Sequence, residues 1–185
     1  MNQFALFPTP IGACGIAWRG LDVIASNLPE ETSDATAARL AKRVGADQGD
    51  APEHIMAAIV AVTALLEGEQ TDLGFISCDL SGSDPFEQKV YEEARTIPAG
   101  QVVTYGEIAL RLGNKGLSRA VGGALGRNPI PIIVPCHRVM GADGRLTGFS
   151  ANGGVETKLK MLDIEKAAIG GGGGLFDDLP LAVKP

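Results

Sequence analysis

Cysteine, histidine and arginine stand in a row at Cys136, His137 and Arg138, inside the stretch PIIVPCHRV that runs from Pro131 to Val139. The thiolate is the nucleophilic form of cysteine, and an imidazole and a guanidinium beside it give the thiol reason to ionise. The competing reading is a cysteine that fills a core and happens to precede histidine, since free cysteine is among the most buried residue types. Adjacency also limits the chemistry. Neighbouring side chains point in different directions, so a direct thiol-imidazole contact of the cysteine-protease kind is disfavoured, and no oxyanion-binding motif accompanies the pair.

The other cysteines, Cys14 and Cys78, lie far away, and an odd total of three argues against a disulfide framework and for a reducing compartment. His54 and His137 are the only histidines, and no Cys/His pair has zinc-finger spacing, so neither a metal nor a cofactor is expected. His54, near the start of a helix, reads as a solvated or capping residue in preference to a ligand.

The elements that must position Cys136 are legible from Pro85 onward. Pro85 opens a helix to about Ile97 with Phe86, Val90 and Ala94 on one face, and Pro98, Ala99 and Gly100 break it. Val102 and Val103 are extended. Thr104 and Glu107 form a capping box for a helix through Arg111, a polar turn spans Gly113 to Gly116, and a second helix, LSRAVGGAL, ends near Gly126. Two short helices joined by a glycine-containing turn make a helix-turn-helix pattern, which many αα-corners share without touching DNA.

The second helix carries the small residues Ala120, Gly122, Gly123 and Ala124 behind Arg119. Two adjacent helical glycines cost roughly 1 kcal/mol each relative to alanine, so something must approach that backbone closely. Either a neighbouring helix or a nucleic-acid groove fits, the latter with Arg119 reaching inward. Charge leans the same way: the net charge is -6, yet residues 95 to 145 hold 7 basic and 2 acidic residues.

Upstream, FALF, ACGIAW and LDVIAS read as short strands, the last two joined by a turn at Arg19 and Gly20. A helix is expected over Ser33 to Val44 with Thr32 or Ser33 as cap, then a polar loop from Asp47 to Ala51. Pro52 opens a second helix with Ile55, Ile59, Val62 and Leu66 on one face before Gly68, and a strand near Phe75 to Cys78 is expected to rejoin the sheet. Ser81 to Pro85 is the expected boundary. The fold class is therefore α+β: a small N-terminal α/β domain with an antiparallel sheet (1–82), a mainly helical domain with the helix-turn-helix (83–168), and a flexible glycine-rich tail (169–185). The tail's LFDDLPLAV could dock or bind a partner, but position and composition favour disorder.

With 185 residues, 45% of them hydrophobic and 21% charged, the chain suits a soluble globular protein with a sizeable core. No run approaches transmembrane length, and the N-terminus lacks the basic flank and long apolar core of a signal peptide. A cytoplasmic monomer without membrane association is expected.

Taken together, the helix-turn-helix, the ordered stretch RAVGGALGRNPIPIIVPCHRV and the segment GRLTGF resemble the O6-alkylguanine-DNA alkyltransferases, also called methylated-DNA-protein-cysteine methyltransferases. The resemblance is close over residues 86 to 165 and looser before. It implies that double-stranded DNA carrying O6-alkylguanine is the partner, with O4-alkylthymine a candidate second substrate. Cys136 would take the alkyl group in one in-line displacement, with His137 acting through a water and Glu165 holding its other nitrogen. On a helical wheel Glu165 falls between Met161 and Leu162; a solvated helix-end glutamate is the alternative.

Asn128 matches the family's asparagine, bracing the turn that Pro129, Pro131 and Pro135 stiffen. The base would flip out through the minor groove, with Ala120, Gly122 and Gly123 against the groove and Arg119 filling the vacated stack. Tyr105 would donate to the base, the carbonyls of Cys136 and Val139 would accept from its amine, and the Ser150 amide would point at O6; Tyr105 and Val139 could also simply pack. Phe149 departs from the tyrosine common in the family, leaving only an apolar wall, and the loop Phe149 to Gly154 is longer than in many members. The alternative of another class is a DNA-binding protein that recognises alkylguanine without reacting; such relatives lack the acceptor cysteine, which Cys136 supplies here.

Overall fold

The computed structural model describes residues 1–142 and 154–167. Three strands, β1 (Gln3–Thr9), β2 (Gly12–Arg19) and β3 (Asp22–Asn27), form an antiparallel meander. Gly12 and Gly20 carry positive φ at the two turns, where a side chain would be strained. Period-2 alternation sorts the residues of β2 between two layers. Ala17 joins Phe4, Ala25 and Leu40 under helix α1 (Ser33–Val44), while Cys14, Ile16 and Trp18 face helix α2 (Glu53–Leu66) through Ile55, Val62 and Leu65. Gly15 belongs to the α1 face, and a Cβ there would come 2.8 Å from Leu40 Cδ2, so glycine is what lets the helix sit this close.

A short strand β4 (Asp47–Gln48) pairs in parallel with β1, giving the order β3-β2-β1-β4. The sequence reads this stretch as loop; the open edge of β1 recruits it, with Asn2 and Phe4 carbonyls accepting from Asp47 and Gly49. The expected strand at 75–78 is reduced to one bridge, Val23 to Cys78. Beside that bridge the Arg95 guanidinium donates to the Ile76 carbonyl at 2.7 Å and to that of Gly74 at 3.3 Å. Pro52 stands one residue earlier than expected, at the cap of α2.

Helix α3 (Pro85–Arg95) begins with an Asp84/Glu87 capping box, and α4 (Tyr105–Arg111) with the Thr104/Glu107 box read from the sequence. After a turn at Gly113 and Asn114 and a 3-10 turn at Lys115–Leu117, α5 (Ser118–Gly126) completes the helix-turn-helix. Tyr91 of α3 is fully buried and donates to the Ala124 carbonyl of α5 at 2.9 Å. A two-stranded parallel sheet, β5 (Val103–Thr104) with β6 (Val139–Met140), and helix α6 (Gly154–Ile164) close the second part. One buried cluster runs from the sheet and α2 through Val90, Ile108 and Val121 to Ile133, Val139 and Met161, so the segment around Cys136 is seated directly on the core. No helix among the described residues is long and apolar enough to cross a membrane. Phe149, Ser150 and the tail from 168 lie outside the described residues.

Candidate active site

Between α5 and β6 the chain makes a braced turn. Asn128 accepts from the Ile130 amide at 2.9 Å and donates to the Val134 carbonyl at 2.8 Å, spanning the turn with both ends of its amide. The Ile130 carbonyl accepts from Val134, and the Val134 carbonyl also accepts from Cys136, each at 2.8 Å. Within this frame Ile132 has φ 74, a conformation that costs a β-branched residue about 1–3 kcal/mol and persists only where its surroundings impose it. Cys136, His137 and Arg138 then form one 3-10 turn, which points their side chains apart as adjacency requires.

His137 is fully buried, with Nε2 2.9 Å from Glu165 Oε1. Glu165, 4% exposed at the end of α6, also accepts from Arg138 Nη2 at 2.8 Å, Arg138 Nε at 2.9 Å and the Gly100 amide at 3.3 Å. Burial would raise its pKa, but the hydrogen bonds from His137 and Arg138, with the guanidinium charge, hold it at about 2. The carboxylate is therefore ionised and accepts only, so the shared proton belongs to His137 Nε2 and the lone pair to Nδ1. Nδ1 makes no hydrogen bond among the described residues. Burial lowers the His137 pKa against the opposing pull of Glu165, so the ring is neutral at pH 7.

The thiol departs from the sequence expectation. Burial raises the Cys136 pKa, and the Asn128 side chain and the Lys158 ammonium pull it down only in part. Arg138 does not assist ionisation; its guanidinium is consumed by Glu165 and by the Ile97 carbonyl at 2.6 Å. The resting pair is a neutral thiol and a neutral imidazole, beside a charge-balanced Glu165-Arg138 pair.

Lys158 is the residue that sequence reading missed. It is fully buried and its Nζ donates to the Val139 carbonyl at 2.6 Å. The signal was available: Lys158, Met161, Leu162 and Glu165 recur at helical spacing on one face, placing two charged residues at core positions. Val139 is itself buried, and its carbonyl keeps one lone pair beyond the Lys158 bond. The Cys136 carbonyl already accepts from the Val139 amide.

Tyr105 opens α4 one residue beyond β5, which pairs Val103 with Val139, so the tyrosine is brought to the strand that follows Cys136. Its ring stands beside Gly122: a Cβ on that glycine would lie 3.9 Å from the ring, an ordinary contact. A Cβ on Gly123 would meet the end of the Arg127 side chain at 3.5 Å. No packing partner among the described residues requires glycine at either position, which removes the tight helix-helix contact as their reason. Arg119 and Ala120 are exposed on the first turn of α5, and the two glycines are half-buried. No group of three His, Cys, Asp or Glu among the described residues could hold a metal. His54 sits 3.2 Å from the Gly20 carbonyl.

Residues 85–167 match the family described as 6-O-methylguanine DNA methyltransferase, DNA binding domain. A methylated-DNA-protein-cysteine methyltransferase from Mycobacterium tuberculosis is 37% identical over 177 residues, covering 96% of this chain and 100% of that protein. The crystal structure of the Mycobacterium tuberculosis O6-methylguanine methyltransferase superposes with a TM-score of 0.74 at 37% identity, covering 90% of this chain and 93% of that one. A structure of the same organism's OGT in complex with DNA has a TM-score of 0.73 at 38% identity, covering 89% and 92%. With a cysteine, a buried neutral histidine and a braced turn in place along a match that covers nearly the whole of both chains, this chain belongs to the methylated-DNA-protein-cysteine methyltransferase family.

Proposed function

We propose that this protein repairs DNA by moving the alkyl group of O6-alkylguanine irreversibly onto Cys136. The observation that carries the reading is the His137 ring, buried and neutral, with Nε2 committed to Glu165 and Nδ1 left as an acceptor. Nδ1 takes the thiol proton through a bridging water as the sulfur attacks. The S–C bond forms while the C–O6 bond breaks, the electron pair leaves with guanine, and the proton stays on His137 until it is passed to solvent or to the departing base. The imidazolium formed on the way is stabilised by the Glu165 carboxylate 2.9 Å from its ring. A thioether offers water no carbonyl to attack, so each molecule acts once.

The partner is duplex DNA, entered from the minor groove. The open glycine face of α5 lies against the groove with Ala120, Gly122 and Gly123, and Arg119 fills the gap left by the flipped nucleotide. Tyr105 donates to the extruded base, whose amine is received by the Cys136 and Val139 carbonyls. The family resemblance alone assigns Phe149 and Ser150, which lie outside the described residues, to base binding. Donors at O6 stabilise the negative charge that builds on the leaving guanine. Asn128 holds the turn. Residues 1–82 are the N-terminal domain and 83–168 bind DNA and accept the alkyl group, while 169–185 lie outside the described residues; the protein works as a cytoplasmic monomer.

The test is intact-protein mass after incubation with duplex DNA containing O6-methylguanine. A gain of one methyl on Cys136, lost in Cys136→Ser, is expected. Tight lesion binding without a mass change would instead indicate a recognition protein, and turnover of an ester a Cys-His hydrolase.

A further inference from the structure

The turn that carries Cys136 is gripped from outside by the N-terminal sheet and helix. Ser26, on β3, donates its amide to the Pro129 carbonyl at 3.1 Å and its hydroxyl to the Pro131 carbonyl at 2.7 Å. Arg43, in the last turn of α1, places Nη2 2.6 Å from the Pro129 carbonyl and 2.8 Å from the Ser26 carbonyl, so one guanidinium nitrogen ties strand to turn. Prolines have no N–H, and the carbonyls of Pro129 and Pro131 are the handles by which this segment can be held. The next residue is Ile132 with its left-handed backbone, and Cys136 follows four residues on.

We propose that Arg43 and Ser26 are positioning residues for alkyl transfer: they hold the proline turn so that the Cys136 thiol meets the alkyl carbon in line. The inference rests on the alkyl-transfer reading above. In-line displacement is sensitive to small displacements of the nucleophile, whereas DNA binding through α5 is not routed through this turn. Arg43 is exposed and lines an open cavity of about 320 Å³ with Asn128 and Pro129, so shortening it leaves no buried void. Ser26 is buried, and its hydroxyl can be removed without changing the charge of the protein.

The experiment uses the full chain and compares Arg43→Ala, Arg43→Lys and Ser26→Ala with the unchanged protein in single-turnover methyl transfer from O6-methylguanine duplex DNA. Limiting rate and DNA affinity are measured separately, and amide hydrogen exchange is followed over residues 130–136. The limiting rate is expected to fall roughly tenfold in Arg43→Ala and in Ser26→Ala at unchanged DNA affinity, with recovery in Arg43→Lys. Exchange at Val134 and Cys136 should quicken in the first two variants and recover in the third. Unchanged limiting rates in both variants overturn the proposal while leaving the alkyl-transfer reading intact, as does a loss confined to DNA affinity in Arg43→Ala. If the unchanged protein transfers no methyl, the reading fails, and the exchange data still decide the grip: equal exchange in all variants overturns it.

Discussion

Lys158, on the buried face of α6, and Glu165, one residue past the end of that helix, stand seven residues apart and hold consecutive residues of the acceptor segment. Lys158 donates to the Val139 carbonyl at 2.6 Å, and Glu165 accepts from His137 at 2.9 Å and from Arg138 at 2.8 Å. The buried side of α6 and the residue that follows it thus hold both His137 and the strand that follows the thiol. Packing alone would fill these positions with apolar residues.

Removing the carboxylate tests this. Glu165→Gln leaves the buried Arg138 guanidinium without its counter-charge, which costs about 3–5 kcal/mol. Denaturant titration should register that loss. Arg138→Met combined with Glu165→Gln should recover part of it, because the unpaired charge is gone.

Acid sensitivity follows from two groups acting in the same direction. Glu165 has its pKa depressed to about 2, so its contribution is present above the usual carboxylate pKa near 4.5 and is lost as pH falls from there toward 2. That contribution is about 3 kcal/mol at neutral pH. His137 is also lowered, by burial; the unfolded chain binds the extra proton first, so stability declines as pH drops below the ordinary histidine value near 6.5. Melting temperature against pH should therefore fall gently below 6.5 and steeply below 4.5. The steep limb should be missing in Glu165→Gln, measured relative to its own neutral-pH value.

Thiol titration separates the resting state from the reacting one. Because burial raises the Cys136 pKa, its alkylation by iodoacetamide should have a midpoint above that of a free cysteine, about 8.5. Lys158→Met should raise that midpoint further, since the ammonium favours the thiolate. Methyl transfer from O6-methylguanine should behave differently, staying flat down to pH 6.5 and falling only where His137 takes a proton. A transfer rate that tracked the iodoacetamide profile would show that free thiolate, not base-assisted attack, limits the reaction.

The glycine pair on α5 gives a stability-for-binding exchange. Gly122→Ala and Gly123→Ala place their Cβ atoms in ordinary contact, 3.9 and 3.5 Å from the nearest side-chain atoms, so neither clashes. Each should stabilise the helix by roughly 1 kcal/mol while weakening binding to duplex DNA. Thermal melts and fluorescence anisotropy measure the two effects on the same samples. Unchanged DNA affinity would mean that the groove does not meet this face.

Local chemistry was legible in the residues themselves. The Thr104/Glu107 box, the proline-rich turn with Asn128 before it, the adjacency that keeps His137 off the thiol, and the small face behind Arg119 are all features of short range, written within a few residues of one another. The tertiary structure decided what depends on packing. Arg138 sits next to His137 in the chain, yet its charge goes to Glu165, 27 residues away, and burial keeps the thiol neutral where its neighbours in sequence suggested ionisation. Lys158 looked like any helix lysine until the core closed around it. The grip of Ser26 and Arg43 on the acceptor turn joins residues 105 and 86 positions apart. Burial and long-range contact set proton affinities and hold carbonyls in place, and both exist only once distant segments have met.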